Sequence, residues 1–411
     1  MRSADIALIR SSRAILCALF VMLCACGPES ASDISSGPYA EASALKADGT
    51  PIYFPAPDSE EGWRSLVEMG VSPDSAQKEK ILEIAGIDWD ALLDAWELSE
   101  NLGSGSSVIV IRNGWIAGEW GSTRKYHVAS VTKSLTSLAT LRMIDLSEMG
   151  RIPLQIDFDS LVHEYLPAAF SESDPEKKNI ELRHLMTMSS GIRPADPDRL
   201  SMDERLHYPM DAATEAEWVY SSLPPNLLSM IIQNVTGLTY GDFFNADIAS
   251  AIGVAPLRWE GIPGGFTKGA AGASISARDL ARIAYLTLHN GVWNSGGGAR
   301  QIVTASNLDL ATQSAPFLSD TAFIESPGSP FPLPADAPNH YGYLWWTNET
   351  QVGLGSAVPP DAYYMHGFRD NLAIVVPSKN LIVIRLARRG PATDTEFRSE
   401  FMSLVMAALE N

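Results

Sequence analysis

Cysteine is nearly absent. There are three among 411 residues, and Cys17, Cys24 and Cys26 all fall in the first 26 positions. The body beyond Cys26 can therefore form no disulfide, no cysteine-ligated zinc site and no cysteine nucleophile. Positive charge is also scarce, with 30 Lys and Arg against 49 Asp and Glu and a formal charge of −19. Phosphate binding needs clustered cations, so no nucleic-acid partner is expected. The seven histidines are scattered without metal-ligand spacing, and neither a metal nor an organic cofactor is expected. The chain lacks G-x-S-x-G, H-E-x-x-H and a P-loop. What it does have is apolar material: 45% hydrophobic residues exclude a disordered chain and supply a large core, in a length that suggests two or three domains.

The one long apolar run is Ala14 to Ala25, preceded by Arg2, Arg10 and Arg13. Twelve helical residues rise about 18 Å, too little to cross a ~30 Å hydrocarbon layer. A basic start, a short apolar run and small residues at its end read as a secretory signal over residues 1–25. Leu23-Cys24-Ala25-Cys26 resembles the bacterial lipobox, which implies a lipid on Cys26. The expectation is an exported protein held in the cell envelope, with Gly27 pointing to the periplasmic face of the outer membrane. Membrane contact is expected through that anchor only. Residues 26–50 are rich in Ser, Ala, Gly and Pro without apolar period, and predict a flexible tether.

Helical patterning runs from Pro73 to about Asn101, with Asp88 as a candidate N-cap. Residues 107–112 and 115–120 flank Asn113-Gly114, a hairpin signal with a type I′ turn. Residues 131–260 read as largely helical, followed by a helix at Ser276 to His289. Strand signals return at Tyr341 to Trp346 and in a second hairpin, Asn371 to Val376 with Leu381 to Leu386; Asp394 to Leu409 reads as a helix. Strands near both ends around a helical middle predict one sheet domain (51–135 and 262–411) and an inserted all-α domain (136–261), with a ligand cleft between them.

Ser-x-x-Lys occurs four times. Ser43/Lys46 lies in the tether, Ser75/Lys78 opens a polar helix and Ser122/Lys125 follows a strand. Ser130-Val-Thr-Lys133 instead opens a helix that is apolar around most of its circumference, hence buried, with Gly150 and Pro153 as its stop. Residues three apart share a helix face, so the Lys133 amine can reach the Ser130 hydroxyl. A buried lysine loses hydration of its charged form and becomes a base. The helix N-terminus offers N–H groups to a developing oxyanion. Alone, the motif reads equally as an ordinary N-cap with a surface lysine.

Val128-Ala-Ser130-Val-Thr-Lys-Ser134 resembles the first motif of the serine β-lactamase and penicillin-binding-protein superfamily. Arg183 to Gly191 is similar to its L-L-x-x-x-S-G segment, and Tyr220-Ser221-Ser222 to its Y-x-N motif. Val162 to Pro167 and Ser276 to Leu280 also fit, so the resemblance runs in order over roughly residues 100–390. It is nearest to class C β-lactamases and their esterase and 6-aminohexanoate-dimer-hydrolase-like relatives. It implies an α+β fold: an α/β sandwich, an antiparallel sheet flanked by helices, with the inserted helical domain. It also implies a serine hydrolase in which Ser130 is acylated, Lys133 takes or holds its proton, and Tyr220 acts as general base and hands a proton to the leaving group. A tyrosine is a poor base at pH 7 unless the lysine's charge helps it form phenolate.

Two motifs depart from the pattern. Ser222 stands where Asn is commoner; it can hydrogen-bond Lys133 but cannot offer an amide's donor and acceptor together. The third motif, Lys-Thr-Gly in the family, is represented by His366-Gly-Phe-Arg-Asp-Asn371. By resemblance the N–H of Phe368, after Gly367, forms the oxyanion hole with that of Ser130. His366 either stabilises substrate, orients Tyr220 or is a plain structural histidine. The Trp345-Trp346 pair reads as sheet packing, with one ring a possible wall of the cleft. These departures favour small esters or amides as substrates. β-Lactamase, D-amino-acid peptidase, and a non-turnover penicillin-binding or sensor protein remain alternatives.

Overall fold

The computed structural model describes residues 39–102, 105–166, 175–192, 210–326, 333–389 and 395–410. Its centre is an antiparallel sheet of six strands drawn from both ends of the chain: β1 (Ser107–Arg112), β2 (Trp115–Trp120), β3 (Trp346–Thr347), β4 (Tyr363–Gly367), β5 (Asn371–Val376) and β6 (Leu381–Leu386), in the order β3-β4-β5-β6-β1-β2. The β1–β2 turn has Asn113 at φ 53° and Gly114 at φ 76°, the two left-handed residues a type I′ turn demands. A bulge between Val110 and Ile111 adds twist. The β5–β6 hairpin turns through Pro377–Lys379 and Asn380 at φ 46°.

Strands β5 and β6 are buried throughout, which is why they read as continuous Val, Ile and Leu. Both faces are covered. Helices α1 (Trp89–Leu102) and α5 (Thr395–Ala407) pack together, where the single charge in β6, Arg385, donates to Ser99 Oγ and lies over the Phe397 ring. Helix α4 (Ala277–Leu288) lies against β1, β5 and β6. Ser276 is its N-cap, accepting from the Asp279 N–H. The helical pattern at 73–101 resolves into Ser75–Ala85 and α1, broken at Gly86 in the left-handed region.

Helix α2 (Val131–Glu148) is buried from Val131 to Ser147, and it packs against β4 and against α3 (Leu223–Thr236). Several of its polar side chains have specific partners. Thr136 Oγ1 donates to Gly269 O, Ser134 Oγ to Leu344 O, and Thr132 Oγ1 accepts from Ala273 N. The bonds to Gly269 and Ala273 clamp the 269–273 segment along the first turns of α2, where it meets Lys133.

Two expectations are corrected. Tyr341 to Trp346 is not one strand: only Trp346–Thr347 joins the sheet, and Leu344 at φ 65° turns the chain. A Cβ on Gly342 would lie 2.3 Å from Ala311 O, so this aromatic run is a tight turn buried on all sides. Residues 1–38, with Cys26 and the start of the expected tether, lie outside the described residues. The remainder of that segment does not hang free. Tyr39 donates to Asp247 O, Ala40–Glu41 pairs with Ala299–Gln301, and Lys46 N donates to Thr50 O.

Candidate active site

Ser130 sits where the chain passes from a short strand into α2. Tyr126–His127 pairs with Ala273–Ile275, and Ala129 then turns the backbone at φ 48°. An alanine in the left-handed region costs about 1–2 kcal/mol, and such strain persists where neighbouring structure over-determines it. The turn lifts Ser130 onto the helix N-terminus, but Ser130 is not a conventional cap, because its side chain makes no capping hydrogen bond. Its hydroxyl lies 3.0 Å from Lys133 Nζ, which also donates to Ala270 O at 3.1 Å and stands 4.8 Å from the centre of the Tyr220 ring.

Lys133 is 3% exposed. Burial, reinforced by the charge of Lys268, brings its ammonium down to about 7. Burial has the opposite effect on the Tyr220 phenol, which is pushed up to about 12 despite Ser130 and Trp346 within hydrogen-bonding reach of its hydroxyl. The two shifts divide the labour near pH 7. Their directions favour the amine over the phenol as a proton acceptor near pH 7.

Tyr220 arrives from the helical middle. Glu217–Trp218 pairs in parallel with Ala322–Phe323, and the two residues beyond it carry Tyr220 to the cleft before α3 begins. Its ring leans on Trp346 and Tyr341, at 5.5 and 6.0 Å between centres. The Trp345-Trp346 pair divides: Trp345 is fully buried against Tyr363, while Trp346 faces the cleft.

Ser222 does not play the part expected of it. It is exposed at the start of α3 and gives Lys133 no hydrogen bond. An asparagine acts four residues later. Asn226 Oδ1 accepts from Gly269 N and Ala270 N, at 3.0 and 3.1 Å, and so holds the carbonyl that Lys133 contacts. Nothing in the local pattern of α3 marks Asn226, since its partners are more than forty residues away.

The third-motif strand closes the site. Ser130, Tyr220, Leu333, Trp346, His366, Gly367 and Phe368 line a narrow cleft of about 10 Å³. His366 meets Asp370 Oδ1 at 3.1 Å, and Arg398 from α5 donates to the same oxygen at 2.8 Å. Burial and then the Arg398 charge lower the imidazole, so His366 is neutral near pH 7. Burial alone would raise the Asp370 carboxyl, but His366 and Arg398 bring it below its ordinary value. Of the residues expected at the site, Ser130, Lys133, Tyr220, His366, Gly367 and Phe368 converge and Ser222 does not. Leu333, Asn226, Asp370 and Arg398 are additions from the fold.

Gly367 backs directly onto Ser130. A Cβ there would lie 2.2 Å from Val128 O and 3.1 Å from Ser130 N, both backbone atoms that cannot swing away. Gly367→Ala is therefore expected to push β4 and the start of α2 apart, costing at least about 100-fold in turnover and lowering the melting temperature. Wild-type rates in that variant, measured beside its thermal melt, would remove this account of the glycine.

The family model for β-lactamase matches residues 98–406. The chain belongs to the β-lactamase family. Protein flp of Staphylococcus aureus is 28% identical over 164 residues, 33% of this chain and 31% of that protein, so the match spans less than a third of the relative's length. Among solved structures, a family VIII carboxylesterase superposes with a TM-score of 0.59 at 14% identity, covering 82% of this chain and 99% of the other. A D-stereospecific amidohydrolase from Streptomyces sp. gives 0.53 at 21% identity, covering 76% and 97%. At such identities these neighbours establish the fold: mixed helix and sheet, as the resemblance implied. The family is one of serine hydrolases, and within it the cleft described above is the candidate catalytic centre.

Proposed function

We propose that this member of the β-lactamase family hydrolyses small esters or amides through an acyl-Ser130 intermediate. The observation that carries the reading is the buried Lys133 amine, 3.0 Å from the Ser130 hydroxyl and brought down to about 7 by burial. Ser130 Oγ attacks the carbonyl carbon as its proton passes to Lys133. Tyr220, still protonated, donates to the leaving oxygen or nitrogen as the scissile bond breaks, and is reprotonated from Lys133. The N–H of Ser130 and that of Phe368 are the proposed donors to the oxyanion. Water then cleaves the acyl-serine.

The lining favours esters and simple amides over β-lactams. Ser222 is exposed, and no amide side chain lines the cleft among the described residues. Export and lipid attachment at Cys26, proposed from the N-terminal pattern, are tested by mass spectrometry of the N-terminus, where an unmodified residue would exclude the lipid.

A series of p-nitrophenyl esters run beside nitrocefin and short D-peptides tests the main proposal. Sustained ester turnover is expected, after a burst of at most one equivalent. A single stoichiometric burst without turnover would instead identify an acylated sensor. Tyr220→Phe gives a second readout through the leaving group. The loss should reach about 100-fold or more for an alkyl ester or amide, whose leaving group needs a proton. It should be much smaller for p-nitrophenyl acetate, whose leaving group does not. Equal losses on both would deny Tyr220 the acid role.

A further inference from the structure

Beside the catalytic cleft lies a second, larger groove of about 500 Å³, and Phe368 lines both. Its wall carries Arg124, Lys125, His127, Arg369 and Arg388, with no aspartate or glutamate among the lining residues. This is a concentration of cations on a chain whose acids outnumber its bases, 49 to 30. Glu260, outside the lining, pairs with His127 at 3.2 Å. Among the described residues, Arg124, Lys125, Arg369 and Arg388 have no carboxylate within ion-pair distance. Arg124 and Lys125 donate instead to the carbonyls of Gly105 and Pro256, and Arg369 to that of Arg388, so no carboxylate is hydrogen-bonded to any of the three, although Asp279 feels the Lys125 charge at longer range.

The turn that joins the two spaces is built rather than loose. Arg369 and Asp370 both lie in the left-handed region, at φ 66° and 50°, a pairing that L-residues adopt only under constraint. The buried Arg385 supplies that constraint by donating to the carbonyls of both residues, at 2.8 Å each. Asn371 Nδ2 adds a bond to Phe368 O. Phe368 is thus fixed between the reacting serine and the groove, with the Arg369 guanidinium 5.1 Å from the centre of its ring. Cations that outnumber the carboxylates around a concave wall focus a positive potential and raise the local concentration of anions.

We propose that this groove is a substrate-binding site for an anionic group, a carboxylate or a phosphate, on the portion of the substrate that extends past Phe368 from the scissile bond. The inference rests on the hydrolase reading above. It adds to it the substrate class: a small neutral reacting end and a charged far end.

Three esters test the proposal: phenyl acetate, 4-acetoxybenzoate with its charge on the leaving group, and monophenyl succinate with its charge on the acyl group. The variants are Lys125→Gln with Arg388→Gln, and separately Arg388→Glu; both positions lie outside the strained turn. On one of the two anionic esters, kcat/KM should fall about 10-fold in the double variant and further in Arg388→Glu. Phenyl acetate should change less than about 2-fold, and the loss should shrink in high salt. Which ester responds shows the side of the bond that the groove serves. Equal ratios of variant to wild type on all three esters would overturn the groove while leaving the hydrolase reading intact. Failure to turn over any ester would be a failure of that reading instead. The groove is then judged by calorimetry of glutarate and of inorganic phosphate binding to the purified chain. Heat lost in the double variant supports the groove, and unchanged heat, or none in the wild type, overturns it.

Discussion

Lys133→Met is expected to lower ester turnover by about 100- to 10,000-fold while making the folded chain more stable below pH 7. The two effects have one cause. In the wild type the amine gives up its proton near pH 7 when folded, because burial penalises the charged form, whereas the unfolded chain holds that proton to the ordinary lysine value of 10.5. Between those values the unfolded state binds more protons, so stability rises with pH across the window. Below about 7 the folded protein carries a buried ammonium, and the penalty, a few kcal/mol, is present in full. Methionine removes it and fills a similar volume. The melting temperature of Lys133→Met minus that of wild type should therefore be positive at pH 6 and shrink steadily toward pH 10. Wild-type turnover of a neutral ester should rise through pH 7 as the amine becomes a base. A difference in melting temperature that stays flat from pH 6 to 10, with no rise in rate through pH 7, would mean that Lys133 is not the base.

Ser130→Ala should remove turnover almost completely, by about 1,000-fold or more, with little change in folding. The second half of that expectation separates a nucleophile from a helix cap. A serine that caps a helix with its side chain loses about 1 kcal/mol on replacement by alanine. Ser130 makes no such bond, and its hydroxyl is matched instead with Lys133 Nζ. The variant should therefore melt within a degree or two of wild type, bind no acyl group detectable by intact mass after exposure to p-nitrophenyl acetate, and show no burst. An acyl adduct persisting in Ser130→Ala would place the nucleophile elsewhere. Clear destabilisation with activity retained would return Ser130 to the role of a cap.

Legibility in the sequence followed the range of the interactions involved. The β1–β2 hairpin was readable because Asn113-Gly114 carries the turn by itself. The buried helix was readable because apolar residues around Ser130 to Ile144 leave no face for water, and i to i+3 spacing alone brings Lys133 beneath Ser130. Tyr220, His366, Gly367 and Phe368 came from ordered family motifs rather than from local physics. The misreadings share one feature. Tyr341 to Trp346 has strand composition, yet close approach at Gly342 folds it into a turn. Residues 39–50 have tether composition, yet a partner strand at Ala299–Gln301 receives them.

The amino-acid order by itself determined the chemistry on offer: a body without cysteine beyond Cys26, a hydroxyl and an amine one turn apart on a buried helix, and strands enough for one sheet from both ends. Only the tertiary structure decided how that chemistry is used. It buried Lys133 beside the Ser130 hydroxyl, buried the Tyr220 phenol, set Ser222 outside the site and gave Asn226 a part in holding Lys133's acceptor. It also gathered cations from three separate stretches around Phe368. The reason is physical. Proton affinity and charge compensation depend on what surrounds a group in space, and those neighbours lie far away along the chain.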